Sequence, residues 1–471
     1  MIMSRKLFPA ALALVVALVV ADGVYAQQRR VELTLDKAIE IALNDNPTIR
    51  VADLEIERYD YVRKQSESAM WPNLSGTASY SRAIVQQTMG GLKFGADNTF
   101  AGGLNLSLPL IAPGIWRNVS LTKEQMVGAV ETARGSKINL VAAVKETFYQ
   151  TLFVRQSIEV LEANEAHVAA VVNDIRKKYE SGLVAEYDLI MAQVQLSNFR
   201  PQIIQAKNGL ATSILMLKMY LNLPSEVELV PNGTLEELKG KAPLSGTELS
   251  TDVSQNSDLR MLEIQKNILQ RQLRLVNSQR MPMLAAFGQA QMIGMDRKPI
   301  DFGASIGGTL GKYLDPLYKN AGIPFPEPDP VLPPRYKYDW QHPVSVGVQL
   351  SIPIFAGHTT DWQARQVKNA IQQLDLSTIY ATEGMQVAVK NAVNNMIAAN
   401  EKMAANEKVV EQAKKGYSIS KVRYDAGAGT MLELNNAEST MTTAQLNYNS
   451  SIYEFLSARA QYEKVTGKEN N

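Results

Sequence analysis

The sequence predicts a mainly α-helical chain with a small β part, in which one order of elements is written twice. Three observations carry that reading. Matched segments recur at nearly fixed offsets, two stretches of more than 60 residues lack proline, and short period-two alternations stand at corresponding places in both copies.

The repeat is read from its anchors. AMWPNL (69–74) resembles QRMPML (279–284), so Pro282 follows Pro72 by 210 residues. LNLSLPLIAPG (104–114) resembles VQLSIPIFAG (348–357), and Pro353 follows Pro109 by 244. KYESGLVAEYDL (178–189) resembles RYDAGAGTMLEL (423–434), with Tyr424 and Gly427 each 245 residues after Tyr179 and Gly182. The second copy therefore carries about 34 extra residues between its first two anchors. Pro324, Pro326, Pro328, Pro330, Pro333 and Pro334 fall there, a composition that favours an extended hairpin tip.

Each copy reads as helix, strand, loop, strand, long helix, turn, helix. In the first, residues 32–68 suit helix, interrupted only by Pro47, and residues 72–82 and 102–110 suit strands. In the second, Val344, Val346, Val348, Leu350, Ile352 and Ile354 alternate with Ser345, Gly347, Gln349, Ser351 and Pro353. Such a strand has one apolar and one polar face, and it fits either a half-buried soluble sheet or a wall between lipid and a wet lumen. The helices at 119–179 and 361–424 would each extend about 90 Å, and helices of that length need partners along them. Shorter helices follow at about 186–222, with a kink expected at Pro201, and at 430–466.

Composition excludes several classes. Lys and Arg number 48 against 47 Asp and Glu, so the chain lacks the basic excess of a nucleic-acid binder. Without cysteine there is no disulfide or thiol nucleophile, and His167, His342 and His358 are too scattered for a metal site. Arg5 and Lys6, an apolar run from Leu7 to Ala21 and Val24-Tyr25-Ala26 read as a cleaved signal over residues 1–26. No later stretch is an apolar span of about 20 residues, so a mature chain that enters a membrane must do so as a β-barrel. Four strands cannot close such a barrel, since the smallest have about eight, so two or three chains would have to share one. Trp71, Trp116, Trp340, Trp362, Tyr336 and Tyr338 flank the strands, as an interfacial girdle or as packing at a domain junction.

These features together resemble the TolC family of outer-membrane efflux proteins. The resemblance rests on the signal, the duplicated element order and the two Tyr-x-x-Gly turns. Its closest stretches are YESGLVAEYDLIMAQVQL (179–196) and YDAGAGTMLELNNAEST (424–440). It covers essentially the whole mature chain. It implies a homotrimer whose twelve strands form a barrel in the outer membrane and whose twelve helices form a periplasmic tunnel. It further implies passive export as the exit duct of a tripartite efflux or type I secretion system, fed by an inner-membrane transporter and a periplasmic adaptor. No cofactor is implied, and no Gly-rich phosphate loop is present in the sequence. The expected organisation is a first repeat at 27–222, an equatorial linker at 223–252 and a second repeat at 253–471 with a Pro-rich loop at about 296–342.

The same resemblance assigns an aperture at the periplasmic tip. Glu433 and Asn436 stand where the family has a pair of aspartates, and Asp188 and Tyr424 stand at positions of its closing network, with Tyr179 the repeat counterpart of Tyr424. Asn436 removes one acidic ring and Gly429 removes an arginine found in some members, so cation binding and the closed state are expected to differ. Read without the family, Glu433 and Asp188 are first-turn residues favoured by a helix dipole, and the two tyrosines are packing anchors. Gly182 and Gly427 are expected to supply positive φ at a helix end in any reading. Two rival classes stand beside this one. An enzyme lacks any gathered constellation, and a secreted coiled-coil scaffold or adhesion protein leaves the matched strands without a purpose.

Overall fold

The computed structural model describes residues 30–85, 87–89, 92–94, 96–240, 251–296, 316–322 and 338–467. The signal expected at 1–26 and most of the Pro-rich loop expected at about 296–342 lie outside the described residues. The described chain is mostly helical with a small sheet part. It divides into two compact units, one of Met1–Asp60, Glu124–Ile268 and Ala370–Asn471, the other of Tyr61–Lys123 and Leu269–Asn369.

The first unit is helical, and its opening segment departs from the sequence expectation. Residues 32–68 are not one helix. Strand β1 (Arg30–Leu33) comes first, then α1 (Leu35–Asp45) and α2 (Pro47–Ser68). Asn46 makes the break. Its Oδ1 accepts from Thr48 N at 2.8 Å, capping α2, while its Nδ2 donates to Tyr220 O at 2.7 Å. Pro47 then occupies the first position of α2, where a missing N–H costs nothing.

Two very long helices dominate. α3 (Pro113–Glu180) has 68 residues and α7 (Thr359–Asp425) has 67, each about 100 Å at 1.5 Å per residue. Each is followed by a shorter helix, α4 (Glu186–Tyr220) after α3 and α8 (Met431–Thr466) after α7. Pro201 lies inside α4, which continues through it as a single helix. The stretch between the repeats carries β6 (Glu228–Pro231) and α5 (Leu235–Gly240), and α6 (Ser257–Ser278) opens the second copy. β6 pairs in parallel with β1, Leu33 opposite Pro231. Leu33, Leu229 and Leu235 thereby enter a core with Phe148, Leu217 and Phe455. A second core, holding Val168, Ile175, Phe199, Met431 and Leu434, joins α3, α4 and α8.

The second unit holds a sheet. β2 (Asn73–Arg82) pairs with β5 (Asn98–Ile111), which pairs with β7 (Met283–Asp296), all antiparallel. Along the far side of β7 run β9 (Val344–Ser351) and β8 (Tyr338–Gln341), which pair with its two ends in turn. Pro343 separates them, and its carbonyl still accepts from Gln291 N at 2.9 Å. The second strand of each copy is thus displaced from the expected bounds: β5 begins at 98 rather than 102, and β9 ends at 351 rather than 354. A hairpin of β3 (Gln87–Met89) and β4 (Leu92–Phe94) lies in the stretch read as loop.

The register sorts the side chains by face. Leu74, Leu104, Leu106, Ala286, Ala290, Val344, Val346 and Val348 are aligned across the strands on one face. Ser75, Thr77, Asn105, Gln289, Gln291, Ser345 and Gln349 align on the other. Tyr80, Phe100, Tyr338 and Trp340 form a chain of ring contacts at one end, with centroids 4.8, 5.6 and 6.5 Å apart. Trp71, Trp116 and Trp362 are exposed just beyond the opposite strand ends.

Asn46→Ala is expected to remove both bonds made by that side chain and to cost about 1–3 kcal/mol. Chemical unfolding should show a lower midpoint with an unchanged slope.

Candidate functional site at the helix turns

The two turns that end α3 and α7 share one hydrogen-bond pattern. Gly182 N donates to Tyr179 O at 2.8 Å and Leu183 N to Lys178 O at 2.8 Å. Gly427 N donates to Tyr424 O at 3.0 Å and Ala428 N to Arg423 O at 2.8 Å. This is the Schellman arrangement, which needs a left-handed residue after the helix. Gly182 has φ of +74° and Gly427 of +71°.

Past the turns the copies diverge. Thr430 caps α8, its hydroxyl accepting from Glu433 N at 3.2 Å. Ala185 precedes α4 with no side-chain cap, and Glu186 and Asp188 meet the positive end of that helix in its first turn. Glu433 and Asn436 lie one turn apart on the exposed face of α8, whereas Met431, Leu434, Asn435 and Glu438 on the same helix are buried.

Of the residues singled out in the sequence, the structure brings Asp188 and Tyr424 together electrostatically. The Tyr424 phenol is pushed up, chiefly by burial, and the negative charge of Asp188 adds to it. No hydrogen bond joins them, and the Tyr424 hydroxyl is buried without a hydrogen-bond partner among the described residues. Its ring instead receives Lys178, whose Nζ lies 5.2 Å from the centroid while pairing with Asp174 at 2.8 Å. Tyr179 is exposed.

Arg423 is the residue that sequence reasoning passed over. Its Nη1 stands 3.5 Å from Glu433 Oε2, and its Nη2 donates to Ala428 O at 3.2 Å. A methyl group at Gly429 would sit 3.3 Å from Arg423 Cβ and 3.2 Å from Tyr424 N, so the bare glycine lets the turn close onto Arg423. The available signal was its charge in RYDAGAG, just before the second turn. Among the described residues no cluster of His, Cys, Asp and Glu could hold a metal ion, and no helix is long and apolar enough to cross a membrane.

The profile of the outer membrane efflux protein family matches residues 38–223 and, a second time, 253–468. The chain belongs to the outer membrane efflux protein family. Alkaline protease secretion protein AprF of Pseudomonas aeruginosa is 21% identical over 91% of this chain and 83% of its own length. Outer membrane protein TolC of Vibrio cholerae is 20% identical over 90% of this chain and 88% of its own. In fold, the chain resembles the CmeC outer membrane channel of Campylobacter jejuni, with a TM-score of 0.68 at 16% identity over 92% of this chain and 85% of that one. The open-state MtrE channel of Neisseria gonorrhoeae gives 0.67 at 17% identity, over 94% and 93%.

As an outer membrane efflux protein, the chain is a transport duct of the outer membrane that extends into the periplasm. The family match is itself double, over residues 38–223 and 253–468. A coiled-coil scaffold or adhesion role is not favoured, because it accounts for neither the strand pairs nor the double match.

Gly427→Ala should cost about 1–2 kcal/mol by forcing a Cβ into left-handed backbone, and Gly427→Asn should cost less. Thermal unfolding of the two variants side by side checks the order.

Proposed function

We propose that three copies of this chain share one twelve-stranded barrel in the outer membrane and one twelve-helix tunnel in the periplasm. That assembly would be the passive exit duct of a tripartite efflux or type I secretion system. The observation that carries the reading is the sheet. Four strand positions in one chain leave the outer edges of β2 and β9 unpaired among the described residues, with one face apolar and the other rich in Ser, Thr, Asn and Gln. Lipid does not tolerate open sheet edges, and pairing each β2 with a neighbour's β9 would close them. The aromatic residues at both strand ends suit the two interfaces of a bilayer, and the polar face suits a wet lumen.

Energy would come from partners, an inner-membrane transporter and a periplasmic adaptor. Relatives with names as different as alkaline protease secretion protein and toluene efflux pump outer membrane protein stand at 21% and 22% identity. Cargo choice therefore belongs to the pump and adaptor rather than to this duct.

The tip would hold the aperture. Three copies of Glu433 around an axis make a ring of negative charge that binds cations, with Asn436 one turn further along the same exposed face. Arg423 beside each Glu433 offsets that charge, so this mouth would bind cations more weakly than a bare carboxylate ring. Tyr179 and Tyr424 occupy equivalent positions in the two turns, Gly182 and Gly427 shape those turns, and Asp188 adds negative charge beside Tyr424.

Single-channel recording in planar bilayers tests this. Glu433→Gln should weaken block by divalent cations by about tenfold. Arg423→Ala should tighten it a few-fold, the scale of an exposed ion pair worth about 0–1 kcal/mol. Unchanged block in Glu433→Gln would remove Glu433 from the aperture, and absence of conductance in the wild type would remove the duct.

A further inference from the structure

The buried face of α8 carries polar groups that the aperture reading does not use. Asn435, Glu438 and Thr442 fall on one stripe, and Glu438 is only 1% exposed. Asn435 Oδ1, Glu438 Oε1 and Thr442 Oγ1 have no hydrogen-bond partner among the described residues. Opposite them stands His167 of α3, whose Nε2 is hydrogen-bonded to the Tyr417 hydroxyl of α7. That nitrogen lies 3.9 Å from Glu438 Oε1, close but beyond hydrogen-bond reach. Further along, Asn164 Nδ2 reaches Gln445 Oε1 at 3.5 Å. These contacts join α3 of the first copy to α7 and α8 of the second.

A carboxylate buried without hydrogen bonds is costly, and burial pushes Glu438 up to about 7, with Lys421 of α7 pulling against it. Burial, and then Lys421, holds His167 below its ordinary value. Tyr417 is pushed up to about 12 by burial, with Glu438 and then Asp425 adding. Below about 7 the seam therefore holds a protonated carboxyl beside a phenol and an imidazole that gives up its proton more readily than a free one.

We propose that Glu438, with His167 and Tyr417, is a gating residue, a proton-sensitive clamp that holds α8 on α3 and α7 and releases it when the carboxyl ionises. Once hydrated by opening, Glu438 returns toward 4.5. The closed seam therefore binds the proton more tightly. Its advantage is complete below about 4.5 and is lost as pH rises through about 7. His167 acts in the opposite sense, favouring closure above 6.5 and losing it as pH falls through its depressed value. With about a third of its side chain exposed, it is the smaller contributor. The consequence for passage through the tip rests on the duct reading, whereas the release of α8 does not.

Hydrogen exchange of residues 431–445 in the full-length protein in detergent, corrected for intrinsic rate, reads the clamp. From pH 6 to pH 8.5, exchange in the wild type relative to Glu438→Gln should rise by about tenfold. Lys421→Met, which alters an exposed side chain, should move the wild-type midpoint to higher pH. A ratio unchanged between the two pH values, or a midpoint unmoved by Lys421→Met, would overturn the proposal. Should Glu438→Gln fail to fold, the Lys421→Met midpoint alone decides it. pH-dependent exchange in a protein without conductance would keep the clamp and sink the duct.

Discussion

Everything in the sheet unit turns on the pairing of backbone N–H and C=O groups. In lipid each such group needs a protein partner, and the described strands satisfy their neighbours on the inside while β2 and β9 leave their outer edges open. The register places Leu104 and Val344 on one face and Asn105 and Ser345 on the other, so the sheet suits neither a buried core nor a fully wetted surface. A wall between hydrocarbon and water uses both faces, and sharing it among copies uses both edges. The long helices inherit the same constraint, because α3 and α7 begin within a few residues of the strands that precede them.

Duplication supplies two turns that share a backbone and differ in side chains. Both end in a left-handed glycine with the same pair of backbone hydrogen bonds. The second has a threonine cap and Arg423 folded against Gly429 and beside Glu433, while the first has an uncapped alanine and sends Lys178 across to the Tyr424 ring. The polar seam of His167, Tyr417 and Glu438 likewise exists only because the two copies carry unlike residues on facing helices.

Much of this was legible in the sequence, for reasons that particular residues make plain. Period-two alternation from Val344 onward and proline-free runs longer than 60 residues are local patterns, and local patterns fix element type. Gly182 and Gly427 were legible because the repeat aligned them. The strand pair of Arg30–Leu33 with Glu228–Pro231 was not, since parallel pairing between distant segments leaves no periodic trace in either. Asn46 read as part of a helix because its two hydrogen bonds run to Thr48 and to the remote Tyr220. In the candidate site, Glu433 and Asp188 were singled out through the family resemblance, since their place after a turn implies only a first-turn residue favoured by the helix dipole. Arg423 and Glu438 were passed over, since a charged residue on a long helix ordinarily faces solvent and burial is a tertiary fact.

The shared barrel is the central claim, and the mass of the mature protein tests it most directly. Native mass spectrometry of protein extracted by detergent from isolated outer membranes should give three copies of the chain. A soluble monomer or dimer recovered without detergent would contradict it, because the open edges of β2 and β9 would then lie in water and no barrel would form.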